Sequence, residues 1–248
     1  MPTRLYPASE MSSSVGQLLS RLLASNLAGP ARRGVGALRT RLVPPPPVLQ
    51  PERLYLYLDA LWRTRHLEGA VVEVGCYRGG TTLAAQRFLT RTGDRRSYVA
   101  IDTFAGFDAE QFRVDADHGT PASLKAAFSD NSLEDVRRSL DRYGGHDVKL
   151  LQGDIATLSE AALPESISVA LIDVDLDVPV FEGLQRLFPR LQRGGVMLVD
   201  DCPEGTTWAG ARIGYRRFVQ ARGLPERYIF GMGVVPSQDA APDLLSNS

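Results

Sequence analysis

Five apolar runs, each closed by an acidic residue and most of them separated by helix-patterned segments, restrict this chain to few folds. The runs are GAVVEVG (69–75), SYVAIDTF (97–104), VKLLQGD (148–154), ISVALIDVD (167–175) and GGVMLVDDC (194–202). Continuous apolar runs of this length suit strands buried on both faces. Around them, 53–67, 79–93, 132–145, 180–191 and 210–223 carry the periodicity of helices, the fourth with Pro189 near its end. The stretch from about 105 to 122 is polar and carries no such pattern. Strands joined through helices imply right-handed crossovers and a mainly parallel sheet covered on both faces. The expected fold class is therefore α/β, a Rossmann-like doubly wound sheet. In such sheets ligands bind beyond the carboxyl ends of the strands, where strand order reverses. Those ends carry Glu73 with Gly75, Asp102, Asp154, Asp173 with Asp175, and Asp200 with Asp201.

The chain's 248 residues fit one such domain with an appendage. The appendage is expected at 1–50, where Arg4, Arg21, Arg32, Arg33, Arg39 and Arg41 face one acid, Glu10, and PPPP closes the segment at 44–47. Within it Val15, Leu18, Leu19, Leu22 and Leu23 are spaced like one helical face, suited to a lid, an oligomer contact, a surface helix or a targeting peptide. The domain proper is expected at 51–248. The 28 basic and 29 acidic residues nearly cancel, which gives nucleic acid no electrostatic footprint and leaves a small molecule or oligosaccharide as the expected partner. Two cysteines, Cys76 and Cys202, fit a reducing cytoplasm, and no apolar run approaches the roughly 18 residues of a membrane span.

Two stretches carry the candidate chemistry. In LIDVDLDVP (171–179), Asp173, Asp175 and Asp177 alternate, so an extended strand would place all three on one face. Clustered carboxylates there need water, a hydrogen-bond network or a cation. In VVEVGCYRGGTT (71–82), Gly75, Gly79 and Gly80 allow close backbone approach, but Tyr77 interrupts the spacing of a dinucleotide fingerprint. Asp102 could accept hydrogen bonds from both ribose hydroxyls, and Asp154 from an exocyclic adenine amine. A nucleoside without phosphates fits these features, and a nicotinamide-dependent oxidoreductase fits them less well. A non-catalytic nucleoside-binding scaffold would have no use for the repelling acids.

The pattern Glu73, Gly75, Gly79, followed in order by IDTFAGF and LQGDIATL, resembles class I S-adenosylmethionine-dependent methyltransferases. Within that class, LIDVDLDVP, LFPRLQRGGVMLVDDC and WAGARIGYRRFVQARG resemble the macrocin O-methyltransferase (TylF/MycF) family, over roughly residues 55–235. The resemblance implies O-methylation of a sugar hydroxyl with a divalent metal, magnesium above all. It implies that Glu73, Gly75, Gly79 and Thr81 hold the methionine part of the cofactor, with Tyr77 against it, Asp102 at the ribose and Asp154 at the adenine. It implies Asp173, Asp200 and Asp201 as metal ligands and a homo-oligomer. Asp173 is also a candidate base, and His118, in the polar stretch after the second run, is another. Metal-dependent catechol methyltransferases are similar, but where they carry a lysine base this chain has Leu176, and where they carry Asp-Asn it has Asp200-Asp201. Many sugar-modifying relatives read D-x-D-x-Y, and here the Tyr position is Asp177.

Overall fold

The computed structural model describes residues 43–205 and 207–237; the helical face expected at 15–23 lies outside them. Five strands, β1 (Ala70–Val74), β2 (Tyr98–Asp102), β3 (Lys149–Gln152), β4 (Ile167–Ile172) and β5 (Leu191–Val199), run parallel in the order β3-β2-β1-β4-β5. β1 and β4 are buried along their whole length, as their unbroken apolar runs require. Order reverses between β1 and β4, which are neighbours in the sheet although far apart in sequence.

Helices cover both faces. On one, α1 (Pro51–Arg63), α2 (Gly80–Thr92) and α4 (Leu133–Tyr143) bury Leu56, Leu61, Leu83, Leu89 and Leu140 against Val71, Ala100 and Leu171. On the other, α5 (Asp177–Leu187) and α6 (Ala209–Ala221) bury Val180, Leu184, Tyr215 and Phe218 against Val72, Ile101 and Ile172. No helix among the described residues is long and apolar enough to cross a membrane.

Three features depart from the sequence pattern. The polar stretch contains α3 (Ala109–Asp117), started by Asp108, whose Oδ1 accepts hydrogen bonds from the backbone N–H groups of Glu110 and Gln111. Two further strands, β6 (Tyr228–Ile229) and β7 (Met232–Pro236), extend the sheet beyond β5 in antiparallel sense, giving seven strands in all. Helix α5 begins at Asp177 rather than Val180 and stops at Leu187, with a single 3₁₀ turn at Phe188–Arg190 around Pro189.

Strand register builds a level rim. Val74 lies opposite both Ile101 and Ile172, and Ile172 opposite Val199. One step on, Gly75, Asp102, Asp173 and Asp200 therefore stand in a row. Backbone bonds continue the ladder there, from Gly75 N–H to Ile101 O at 2.8 Å, Asp173 N–H to Val74 O at 2.8 Å and Asp200 N–H to Ile172 O at 2.9 Å.

Candidate active site

A cavity of about 270 Å³ opens on this rim, where strand order reverses. Glu73, Gly75, Tyr77, Thr81, Asp102, Asp154, Asp173, Asp200 and Asp201 all line it. Gly79 and His118 do not. Gly79 starts α2, and its α-carbon faces Leu140 and Val136 of α4. His118 closes α3 with Nε2 3.9 Å from Asp177 Oδ2, so the expected second base is directed at an acid outside the cavity lining.

Glu73 is fully buried. Its Oε2 accepts hydrogen bonds from Thr82 Oγ1 and Tyr98 Oη, both at 2.6 Å, and the Tyr98 hydroxyl also meets that of Tyr57 at 2.9 Å. Oε1 has no hydrogen-bond partner among the described residues. Burial pushes the carboxyl up to about 7 against the pull of the Thr82 and Tyr98 bonds. A buried acceptor with one idle oxygen at a cavity wall is suited to a cationic ligand group.

Asp102 shapes the loop after β1. Its Oδ2 accepts from the N–H groups of Cys76 and Tyr77, and its Oδ1 from that of Phe104. An ionised carboxylate offers about four lone-pair sites, so some accepting capacity remains for a ligand hydroxyl. The loop needs this anchor because Tyr77 and Phe104 hold left-handed backbone, φ 47° and 52°. Gly75 (φ 88°) cannot be larger, since a Cβ there would stand 1.9 Å from the carbonyl oxygen of Asp173. Tyr77 donates its hydroxyl hydrogen to Asp130 Oδ1 at 2.5 Å, and Asn131 Nδ2 donates to Tyr77 O. Asp154 accepts from Gln111 Nε2 and from Ala156 N–H. Gln111, on the unexpected helix α3, thus enters the cavity beside a predicted residue.

The first turn of α2 is covered. A Cβ on Gly80 would lie 1.9 Å from Pro46 O, and the Val48 N–H reaches Thr81 Oγ1 at 3.4 Å. In dinucleotide folds a pyrophosphate packs at this position on helix N–H groups. Here the Pro46 carbonyl lies against Gly80, and Tyr77 stands where the fingerprint's second glycine would let a pyrophosphate approach.

At the other end, Asp173, Asp175, Asp200 and Asp201 face one another. Burial, followed by Asp200, Asp175 and Asp201, pushes Asp173 up. Burial and Asp201 push Asp200 up to about 6, and Arg53 opposes them. Arg53, missed in the sequence, places Nη1 2.8 Å from Asp200 Oδ1 and 2.7 Å from Asp201 Oδ1, while Nε donates to Phe230 O. Asp175 and Asp201 both hold left-handed backbone, φ 63° and 52°. That turn breaks the expected alternation, and Asp177 leaves the row to pair with Arg217 at 2.6 Å. All-oxygen donors suit a hard divalent cation in chemistry. The expected convergence of three ligands is not formed, however: no group of three His, Cys, Asp or Glu side chains among the described residues is disposed to hold a metal. Arg53 neutralises two of the acids instead.

The sequence profile of macrocin O-methyltransferases (TylF) matches residues 58–230. The chain belongs to this family. As a TylF member it is 32% identical over 142 residues to the 8-demethyl-8-(2,3-dimethoxy-α-L-rhamnosyl)-tetracenomycin-C 4′-O-methyltransferase of Streptomyces olivaceus, covering 54% of this chain and 52% of that one. It is 31% identical over 140 residues to the mycinamicin III 3″-O-methyltransferase of Micromonospora griseorubida, covering 54% and 55%. The matched part of the TylF member thus spans about half the length of these curated relatives. The calicheamicin methyltransferase CalS11 shares its fold, with TM-score 0.60 and 21% identity over 95% of each chain.

Proposed function

We propose that the chain is an S-adenosylmethionine-dependent O-methyltransferase that methylates a sugar hydroxyl with the help of a divalent cation, magnesium foremost. The observation that carries this reading is the level rim itself. It sets the idle oxygen of Glu73, the loop anchor Asp102 and the acids Asp173, Asp200 and Asp201 along one cavity. Family membership supports methyl transfer. The relative named for a rhamnosyl tetracenomycin supports a sugar acceptor.

When bound, the cofactor supplies an electrophilic methyl group and the cation supplies the Lewis acidity that makes a hydroxyl nucleophilic at neutral pH. The chain's own residues do the rest. Glu73 Oε1 would bind the ammonium of the methionine part, Gly75, Gly79 and Thr81 would shape the turn around it, and Tyr77 would lie against it. Asp102 would bind the ribose hydroxyls with its remaining lone pairs, and Asp154, with Gln111, would read the adenine edge. Asp173, Asp200 and Asp201 would be the oxygen donors to such a cation, which requires Arg53 to give up Asp200 and Asp201 and the three carboxylates to close on one point. Asp173 would also accept the acceptor's proton at a carboxylate oxygen. His118 has no part in this scheme. A catechol-type mechanism would need a lysine at position 176, and the buried Leu176 cannot act as a base.

Calorimetric titration of the full-length, chelator-stripped protein with S-adenosylhomocysteine and then magnesium tests the reading. A Kd on the micromolar order is expected for the nucleoside, followed by a magnesium signal that disappears in Asp200→Asn/Asp201→Asn. Absence of nucleoside binding would remove the methyltransferase reading. Nucleoside binding without a magnesium response would remove the cation alone.

A further inference from the structure

Behind the cavity wall, three hydroxyl groups meet around one buried carboxylate. Val71 lies opposite Tyr98 and Glu73 opposite Ala100, so Tyr98 shares a sheet face with Glu73 and reaches it diagonally between two parallel strands. From the helices on that face, α1 supplies Tyr57 and α2 supplies Thr82. All four side chains are buried, and of the four only Glu73 lines the cavity.

The direction of these bonds follows from which groups can donate. An ionised carboxylate only accepts, so Thr82 Oγ1 and Tyr98 Oη both donate to Glu73 Oε2, each at 2.6 Å. With its hydrogen committed there, Tyr98 Oη is left to accept from Tyr57 Oη at 2.9 Å. The chain of bonds therefore runs one way, from Tyr57 through Tyr98 to Glu73. A proton on Oε2 would meet two hydroxyl hydrogens already aimed at that atom. A proton on Oε1 would be a buried donor without an acceptor, because that oxygen has no hydrogen-bond partner among the described residues. The arrangement suits the charged carboxylate, yet only neutral hydroxyls among the described residues bond to it. A buried anion held in this way lacks a positive partner.

We infer that Tyr98, steadied by Tyr57, is a positioning residue for cofactor binding: it fixes Oε2 of Glu73, keeps the carboxylate charged and leaves Oε1 as the acceptor for the ligand's ammonium group. The inference rests on the reading that Glu73 takes that ammonium, and adds to it residues that touch no ligand. The other ionisable groups acting here are Asp102 at the end of β2, Cys76 after β1 and Asp173 after β4, while Arg96 acts on Tyr57. Substituting Tyr98 or Tyr57 leaves all four in place.

The test is calorimetry on the full-length protein with two ligands, S-adenosylhomocysteine and its desamino analogue, in which hydrogen replaces the ammonium group. Wild type should prefer S-adenosylhomocysteine. Tyr98→Phe should weaken S-adenosylhomocysteine about tenfold at neutral pH, the scale of a hydrogen bond to a charged group, and leave the analogue unchanged, which also reports correct folding. Tyr57→Phe should act in the same direction and less. A bond to the charged form lowers an acid's pKa, so in Tyr98→Phe the pH at which S-adenosylhomocysteine affinity is half lost should move upward. Equal weakening of both ligands would make Tyr98 a merely structural residue and overturn the proposal, as would an undiminished preference or an unmoved pH midpoint. Failure of the underlying reading looks different and is seen in wild type alone. There, binding of neither ligand removes the methyltransferase, and equal binding of both removes the contact between Glu73 and the ammonium.

Discussion

Glu73 is the residue where local chemistry and the proposed activity meet most directly. Its carboxyl, pushed up to about 7 by burial, must be ionised to take an ammonium group. Affinity for S-adenosylhomocysteine should therefore fall on the order of tenfold as pH drops from 8 to 6, because one unit below the pKa the group is about ten-to-one protonated. Glu73→Gln should lower affinity at pH 8 by roughly ten- to a hundredfold, the worth of a charge-assisted hydrogen bond, and flatten the pH dependence. Calorimetry at the two pH values decides, and an unchanged pH profile in the variant would place the titrating group elsewhere. The ligand-free protein should respond in the opposite sense. An acid whose folded pKa is raised contributes stability fully present below its unfolded value and lost as pH rises through the folded one. Binding and folding thus make contrary demands on one side chain.

At the scale of elements, α3 and α5 are joined by a borrowed cap. Asp115 of α3 is fully buried, and its Oδ2 accepts the N–H of Asp177 in the first turn of α5, while Oδ1 has no partner among the described residues. Burial raises Asp115 to about 6 despite the Asp177 N–H bond, with the Asp177 charge adding to the rise. The space for Asp115 exists because residue 210 has no side chain, as a Cβ there would stand 1.7 Å from Oδ1. Asp115→Ala should cost about 1–2 kcal/mol, the usual worth of an N-cap. Asp115→Asn should keep the cap and remove the loss of stability between pH 4 and pH 6. Chemical denaturation of both variants across that range checks the pair, and equal losses at every pH would count against the borrowed cap. This junction also marks where the sequence is hard to read. Helix α3 buries only Phe112 and Asp115, too little apolar patterning to signal a helix, and β6 and β7 are short strands set by the tight turn at Phe230–Gly231. β1, β2 and β4 were legible because a strand buried on both faces is apolar along most of its length, whereas β3 is partly exposed and β5 begins at Leu191, within the segment patterned as a helix.

For the molecule as a whole, Arg53 links distant parts of the chain. Its partners Asp200 and Asp201 lie 147 and 148 positions away, so nothing local in the sequence could reveal the contact. Phe107, Phe128 and Trp208, whose rings meet pairwise in the cavity lining, were hidden for the same reason, being brought together only by loop packing. The acids were legible from the shared strand ends, but the left-handed turn at Asp175 that sends Asp177 outward was not. Arg53 ties α1 to the acidic rim, so Arg53→Gln should destabilise the chelator-treated protein by roughly 3 kcal/mol, the scale for breaking a largely buried ion pair. Added magnesium should then raise its melting temperature more than that of wild type, because the cation no longer competes with a guanidinium. Equal rises in thermal melts would show that the two do not share the carboxylates.

The Pro46 carbonyl over the first turn of α2 has a pharmacological consequence. Helix N-termini are where many nucleotide-binding proteins hold phosphate, and inhibitors copied from nucleotides inherit charges that hinder their passage into cells and spread them over many targets. Here the Pro46 carbonyl oxygen lies against Gly80, so a phosphate on that side of the turn would meet an acceptor rather than a donor. On the methyltransferase reading, a neutral nucleoside analogue is therefore the inhibitor class to make first against this cavity.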